Sequence, residues 1–182
     1  DNGVTFNGVS SVTTADVVAS NGIVHIVDSV IGLPTVVTFA VADPNFEILV
    51  QALTRDDLTM DFVGLLNSST SPPTPLTVFA PVNNAFVNLL DELGLNGLND
   101  IDEPTLSAVL TYHVVTGANQ LSINLSDGME FTTAGGGALL FNFGDNGEGI
   151  LTDNNGRTSN IVAVDVQANN GIIHAIDKVV LP

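Results

Sequence analysis

The chain has 182 residues, 45% of them hydrophobic, enough to bury one core of ordinary size with an appendage. Twenty Asp and Glu oppose three basic residues, Arg55, Arg157 and Lys178, and the formal charge of -17 excludes nucleic acid and anionic membrane, whose phosphates demand Lys and Arg. Cysteine is absent, which excludes disulfides, thiolate metal sites and thiol nucleophiles.

In chain order, Val9–Val30 carries alternating apolar stretches of strand character, and Gly32–Val37 ("GLPTVV") reads as a short junction. "ADPNFEILVQALTR" predicts a helix with Asp43 as N-cap, Pro44 in the first turn and Phe46, Leu49, Val50 and Leu53 on one face. "DLTMDFVGLLN" predicts a second helix, and Ser68–Pro75 a loop. "LTVFAP" reads as a buried strand. "NNAFVNLLDELG" reads as a helix capped by Asn83 and ended by Gly94, and "DEPTLSAVLTYHVV" as a third strong helix. After Gly117 the pattern turns to strands: "ALLFNF", "GIL", "NIVAVDVQA" and "GIIHAIDKVVL", some separated by the turns "GDNGEG" and "TDNNGR". Helices first and an antiparallel sheet afterwards predict the α+β class. No run of 18 apolar residues appears, so direct membrane insertion is not expected.

One phrase occurs twice. Thr14–Ile31 aligns with Ala163–Val180 at a constant offset of 149, matching Asp16 with Asp165, Asn21 with Asn170, His25 with His174 and Asp28 with Asp177. A period this long signals a repeated domain, not a solenoid. The 34 residues up to Pro34 are too few to bury a core. They are expected to pack against the following unit or swap between molecules, because they would otherwise leave Val, Ile and open strand edges in water.

Three phrases stand in order: "TVFAPVNNAF" at Thr77–Phe86, "YHVV" at Tyr112–Val115 and "NGIIHAIDKVVLP" at Asn170–Pro182. Together they resemble the fasciclin (FAS1) domain, its first block, its Tyr-His motif and its closing block. The resemblance implies a wedge of β-strands with packed helices. Residues 35–182 would be a complete FAS1 domain, and residues 1–34 the C-terminal tail of a preceding one plus the junction. It also implies a secreted or surface-anchored adhesion module whose partner is a protein or glycan at a cell surface or matrix, itself included. Asn83, Tyr112, His113, Asp165, Val166, His174 and Asp177 are the motif positions. Two departures stand out. Val82 replaces the usual Thr before Asn83. Asp165-Val166 matches an Asp-Ile pair linked to integrin binding in animal members, but Ala163, Val164 and Gln167 around it do not. Integrin recognition is therefore not carried over, and the pair reads as a strand end whose carboxylate meets water.

The residues themselves offer little chemistry. His113 falls on the apolar face with Leu106 and Leu110, while His25 and His174 sit inside strand phrases, as imidazoles that tie a helix to a sheet would. No HExxH zinc spacing, nucleophile elbow or phosphate-binding Gly-rich motif is present, so no cofactor and no catalysis are expected. The alternative is a divalent-cation or small-ligand binding module. Asp145, Glu148 and Asp153 in neighbouring turns are its calcium candidates, although the EF-hand order is missing and tight turns demand the same residues. Weak, salt-dependent calcium association is expected of so acidic a surface.

Overall fold

The computed structural model describes residues 3–69 and 74–182. Strands β1 (Thr5–Phe6), β2 (Ser10–Ala19) and β3 (Gly22–Val27) form a small antiparallel sheet in the order β1-β2-β3. Among the described residues three α-helices then precede β4 and two lie between β4 and β5, and strands β4 to β10 make a seven-stranded sheet in the order β5-β4-β10-β9-β8-β7-β6. These strands are β4 (Leu76–Pro81), β5 (Val114–Thr116), β6 (Met129–Thr132), β7 (Ala138–Phe143), β8 (Gly149–Thr152), β9 (Thr158–Ala168) and β10 (Gly171–Ile176). The α+β class holds, as a wedge of sheet and helices, but one expectation is corrected. β10 pairs parallel with β4, from Gly171 opposite Leu76 to Ile176 opposite Pro81, so the sheet is mixed. Both strands are buried on both faces, which is why their phrases are almost continuously apolar.

This central pair divides two apolar clusters, with side chains alternating between its faces. Val78, Ala80, Ile173 and Ala175 face Phe62, Phe86, Leu106 and Leu110 of the helices. Phe79 and Ile176 face Tyr112, Phe131, Phe141 and Leu151.

The helices follow their caps. Asp43 accepts from Asn45 N and starts a 3-10 turn at Pro44–Phe46, and α2 (Glu47–Leu53) continues from it. Asp61 caps the short α3 (Phe62–Asn67). Of the loop expected over Ser68–Pro75, residues 70–73 lie outside the described residues. Gly94, at φ 67°, closes α4 (Asn83–Leu93) in the left-handed region that glycine tolerates best. Helix α5 (Glu103–Tyr112) starts at Asp102 as expected but is shorter than expected: His113 is its C-cap, and the β-branched pair Val114-Val115 passes into the edge strand β5.

The junction holds an unexpected helix, α1 (Val36–Ala42), started by a capping box in which Thr35 and Thr38 satisfy each other's backbone N–H. Its β-branched sequence has little helix propensity, so packing decides: Val36 and Ala40 are buried against the core. The small sheet touches the rest chiefly here. A Cβ built on Gly8 would stand 2.3 Å from that of Ala42. Beyond this turn the hairpin of β2 and β3 projects into solvent, with Val18 81% and Ile23 61% exposed, so the expected packing against the following unit is confined to its root.

Candidate functional site

The seven motif residues divide into internal braces. Asn83 is the first residue of α4 and not its cap; Val82 occupies that place without a side-chain bond. Its amide instead accepts from Ile48 N at 2.9 Å and donates to Pro44 O at 2.8 Å. Ile48 N is one of the early N–H groups of α2 that no helical carbonyl reaches, so Asn83 caps a neighbouring helix from outside.

Tyr112 is fully buried. Its hydroxyl donates to Ala138 O and accepts from Asn154 N, and desolvation pushes its pKa up. His113 Nδ1 donates to Val109 O at 2.7 Å, and Nε2 accepts from Val180 N at 3.2 Å, an arrangement that requires the neutral ring. Burial pushes its pKa down to about 4. The imidazole thus joins the end of α5 to the segment after β10, beyond the sheet to which the sequence reading would tie it.

Around His174 three side chains grip one loop. Thr77 Oγ1 donates to Ala118 O and accepts from Gln120 N. His174, stacked on Phe79, donates from Nε2 to Gln120 O at 2.8 Å, while its Nδ1 is buried without a partner. Desolvation lowers its pKa. Asp165 accepts from Ser122 N at 2.8 Å and from the Ser122 hydroxyl. Desolvation works against its ionisation, but these hydrogen bonds prevail and hold the carboxyl below its usual range. Asp165 is not at a strand end. It lies inside β9 at φ 62°, where the register against β10 shifts, and Val166 opposite Ile173 packs against the core. Asp177 accepts from Asn160 N at 2.8 Å and from Asn160 Nδ2 at 2.7 Å, tying the end of β10 to the start of β9.

The calcium candidates do not converge. Asp145 and Glu148 are exposed in the turn before β8, and Asp153 follows its other end, separated by a strand that rises about 3.3 Å per residue. Asp153 is buried, and its carboxylate accepts from Asn155 N, Arg157 N and Leu181 N at 2.9 Å each. Among the described residues no three His, Asp or Glu are grouped to hold a metal.

Sequence reasoning missed the buried Asn170 as a structural centre. Its Oδ1 accepts from Val36 N at 3.0 Å, and its Nδ2 donates to Leu66 O at 2.7 Å and Ser68 O at 3.0 Å. It therefore caps the start of α1 and the end of α3 together. Its place in the repeated phrase was the available signal.

The two copies of that phrase share their internal bonds and differ in their surroundings. Asp28 accepts from Ser11 N as Asp177 does from Asn160 N, and Ser10 donates to Ser29 O as Ser159 does to Lys178 O. Asp16 repeats the left-handed backbone of Asp165, at φ 57°. Yet Ile23, Ile26 and Val30 are 61%, 50% and 89% exposed, against 1%, 7% and 1% for Ile172, Ala175 and Val179.

On the outer face of the large sheet the register aligns Leu140 with Thr152 and Thr158, and Asn142 with Ile150 and Asn160. Further along β9, where its register against β10 shifts, Val162 and Val164 are 56% and 48% exposed, and Leu140 is 37% exposed. Glu130, opposite Leu140, is the one charged side chain in these pairings.

The chain matches the Fasciclin domain family at residues 1–34 and 44–182. The Synechocystis sp. protein sll1735 is 35% identical over 82% of this chain and 98% of its own length. Human periostin is 28% identical over 97% of this chain and 20% of its own length. Among solved structures, a FAS1 domain pair from the insect cell adhesion molecule Fasciclin I superposes with a TM-score of 0.64 at 23% identity, over 97% of this chain. This chain spans 61% of that structure, and the likeness concerns the fold. With its three motifs braced inside that fold, the chain belongs to the fasciclin domain family, which includes cell adhesion proteins.

Proposed function

We propose that the chain is an extracellular or cell-surface adhesion module that acts by protein–protein contact, copy to copy included, without catalysis. The observation that carries this is the outer face of β7 to β9: Leu140, Val162 and Val164 exposed among Asn and Thr on a body of charge -17. Carboxylates keep copies of this protein apart elsewhere, whereas this face offers apolar area flanked by Glu130 and by Asp177, which Asn160 holds. The chemistry-bearing side chains support the same reading from the other side. His113, His174, Tyr112 and Asp153 are committed to backbone partners inside the fold. Double substitution Val162→Glu with Val164→Glu tests the face. Self-association on a surface coated with the chain should fall at least tenfold in 0.5 M salt with unchanged melting. Undiminished association would remove this face from the account.

Residues 1–34 are, in the same proposal, the closing hairpin of a preceding copy of the fold. What supports this is the pairing of identical internal bonds with side chains that are covered in one copy and bare in the other. Joining residues 35–149 ahead of Asp1 would supply the missing half. Amides of Ile23–Val27 should then become protected from hydrogen exchange, and continued rapid exchange would refute the assignment.

A further inference from the structure

At the edge of the large sheet, beyond the face described above, lies a cavity of about 590 Å³. Helix α3 forms one wall through Phe62, Leu65 and Leu66; Leu76 and Val114, at the start of β4 and β5, form the floor. Phe62, Leu66, Leu76 and Val114 belong to the buried apolar cluster, so the cavity opens straight into the core. Its size lies within the roughly 300–1,000 Å³ of small-molecule sites, and dry apolar cavities as small as about 150 Å³ take up benzene.

The polar atoms of the lining choose the ligand's chemistry. Asp61 turns an oxygen to Gly64 N at 2.8 Å, and the Thr111 hydroxyl donates to Ser107 O at 2.9 Å. Both are engaged by their own helices. The Thr116 hydroxyl makes no hydrogen bond among the described residues. None of the three basic residues lines the cavity, and Asp61 stands at its wall. An anion would therefore meet a carboxylate and no counter-charge, while a cation would leave a core of Phe and Leu unfilled. We propose that this cavity binds a neutral, largely hydrocarbon small molecule whose single hydroxyl, carbonyl or arylamine meets Thr116.

The test uses the whole chain and two dyes of one ring framework, neutral N-phenyl-1-naphthylamine and anionic 8-anilinonaphthalene-1-sulfonate. The neutral dye should bind saturably at one site, at least tenfold more tightly than the anion, and 1-decanol should displace it. Ala134, exposed at the rim, gives a variant that blocks entry without disturbing the core. Ala134→Trp should weaken dye binding at least tenfold with unchanged melting, and Thr116→Val should weaken displacement by 1-decanol. Should Ala134→Trp lower the yield of folded protein, Met60→Trp at the same rim replaces it. Failure of the neutral dye to bind, equal binding of both dyes, or binding indifferent to both rim variants would each overturn the proposal; the last would place the dye on the exposed hairpin.

Discussion

Asn170→Ala and Asn21→Ala remove the same amide from the same phrase, and the structure assigns them opposite outcomes. Asn170 is 2% exposed, and its loss strands Val36 N at the start of α1 and Leu66 O at the end of α3, both in buried hydrogen bonds. Ser68 O lies in a half-buried bond and can turn to water. A buried group left without its partner costs about 1–3 kcal/mol, so two such groups and a lost third bond predict roughly 3–5 kcal/mol. At about 2–4 °C per kcal/mol for a chain of this size, the melting temperature should fall by roughly 10 °C. Asn21 is exposed on the projecting hairpin, and its replacement should stay within about 0.5 kcal/mol of the parent. Urea unfolding followed by far-ultraviolet circular dichroism measures both. Equal costs for the two variants, or a loss below about 1 kcal/mol for Asn170→Ala, would refute the capping role and the unequal burial of the two copies.

His113 gives a pH dependence. Its folded pKa of about 4 lies below the ordinary 6.5, so the unfolded chain binds more protons between these values. The stabilisation is complete above about pH 6.5 and is lost as pH falls towards 4, by up to about 3 kcal/mol at 1.36 kcal/mol per unit. Against parallel urea series, His113→Gln should show a shallower acid loss than the parent; identical slopes would assign the loss to carboxylates alone. Asp153→Ala leaves three backbone N–H groups without their carboxylate and should cost about 3–5 kcal/mol, and a loss below about 1 kcal/mol would contradict its bracing role. Calcium and magnesium should raise the melting temperature alike and only at low salt, as screening does. A calcium-specific rise in 0.15 M salt that Asp153→Ala abolishes would restore the cation-binding alternative. Tyr112→Phe removes one donor and one acceptor from a buried site and should cost about 1–3 kcal/mol by thermal melting.

What could be read from the sequence followed from short-range chemistry. Asp43 and Gly94 mark helix ends because a carboxylate or a left-handed glycine acts on backbone groups within a few residues, whereas the helix expected from Asp57 begins only at Phe62, after its cap Asp61. What could not be read depends on distant partners. Val36–Ala42 is helical because Asn170 and the core receive it from more than a hundred residues away. Val114 leaves a helical pattern because Val78 pairs with it across β4 and β5. The parallel pairing of β10 with β4 leaves no local trace, since a central strand is apolar whichever way its neighbour runs. From its neighbours in sequence Asp165 reads as water-facing, since nothing beside it announces Ser122, 43 residues earlier. The repeat identifies His25 with His174 and Asn21 with Asn170, but burial of one copy and exposure of the other is settled only by what stands around them.

Adhesion by surface contact is tested most directly by clustering of beads coated with the 182-residue chain, across a salt series with and without calcium. With a charge of -17 on each copy, the beads should stay dispersed at 10 mM salt and cluster above about 0.15 M, where the screening length falls to about 8 Å. Clustering should not require calcium, and Val162→Glu with Val164→Glu should abolish it. Beads that stay dispersed at every salt concentration, or that cluster equally well with the double variant, would contradict it.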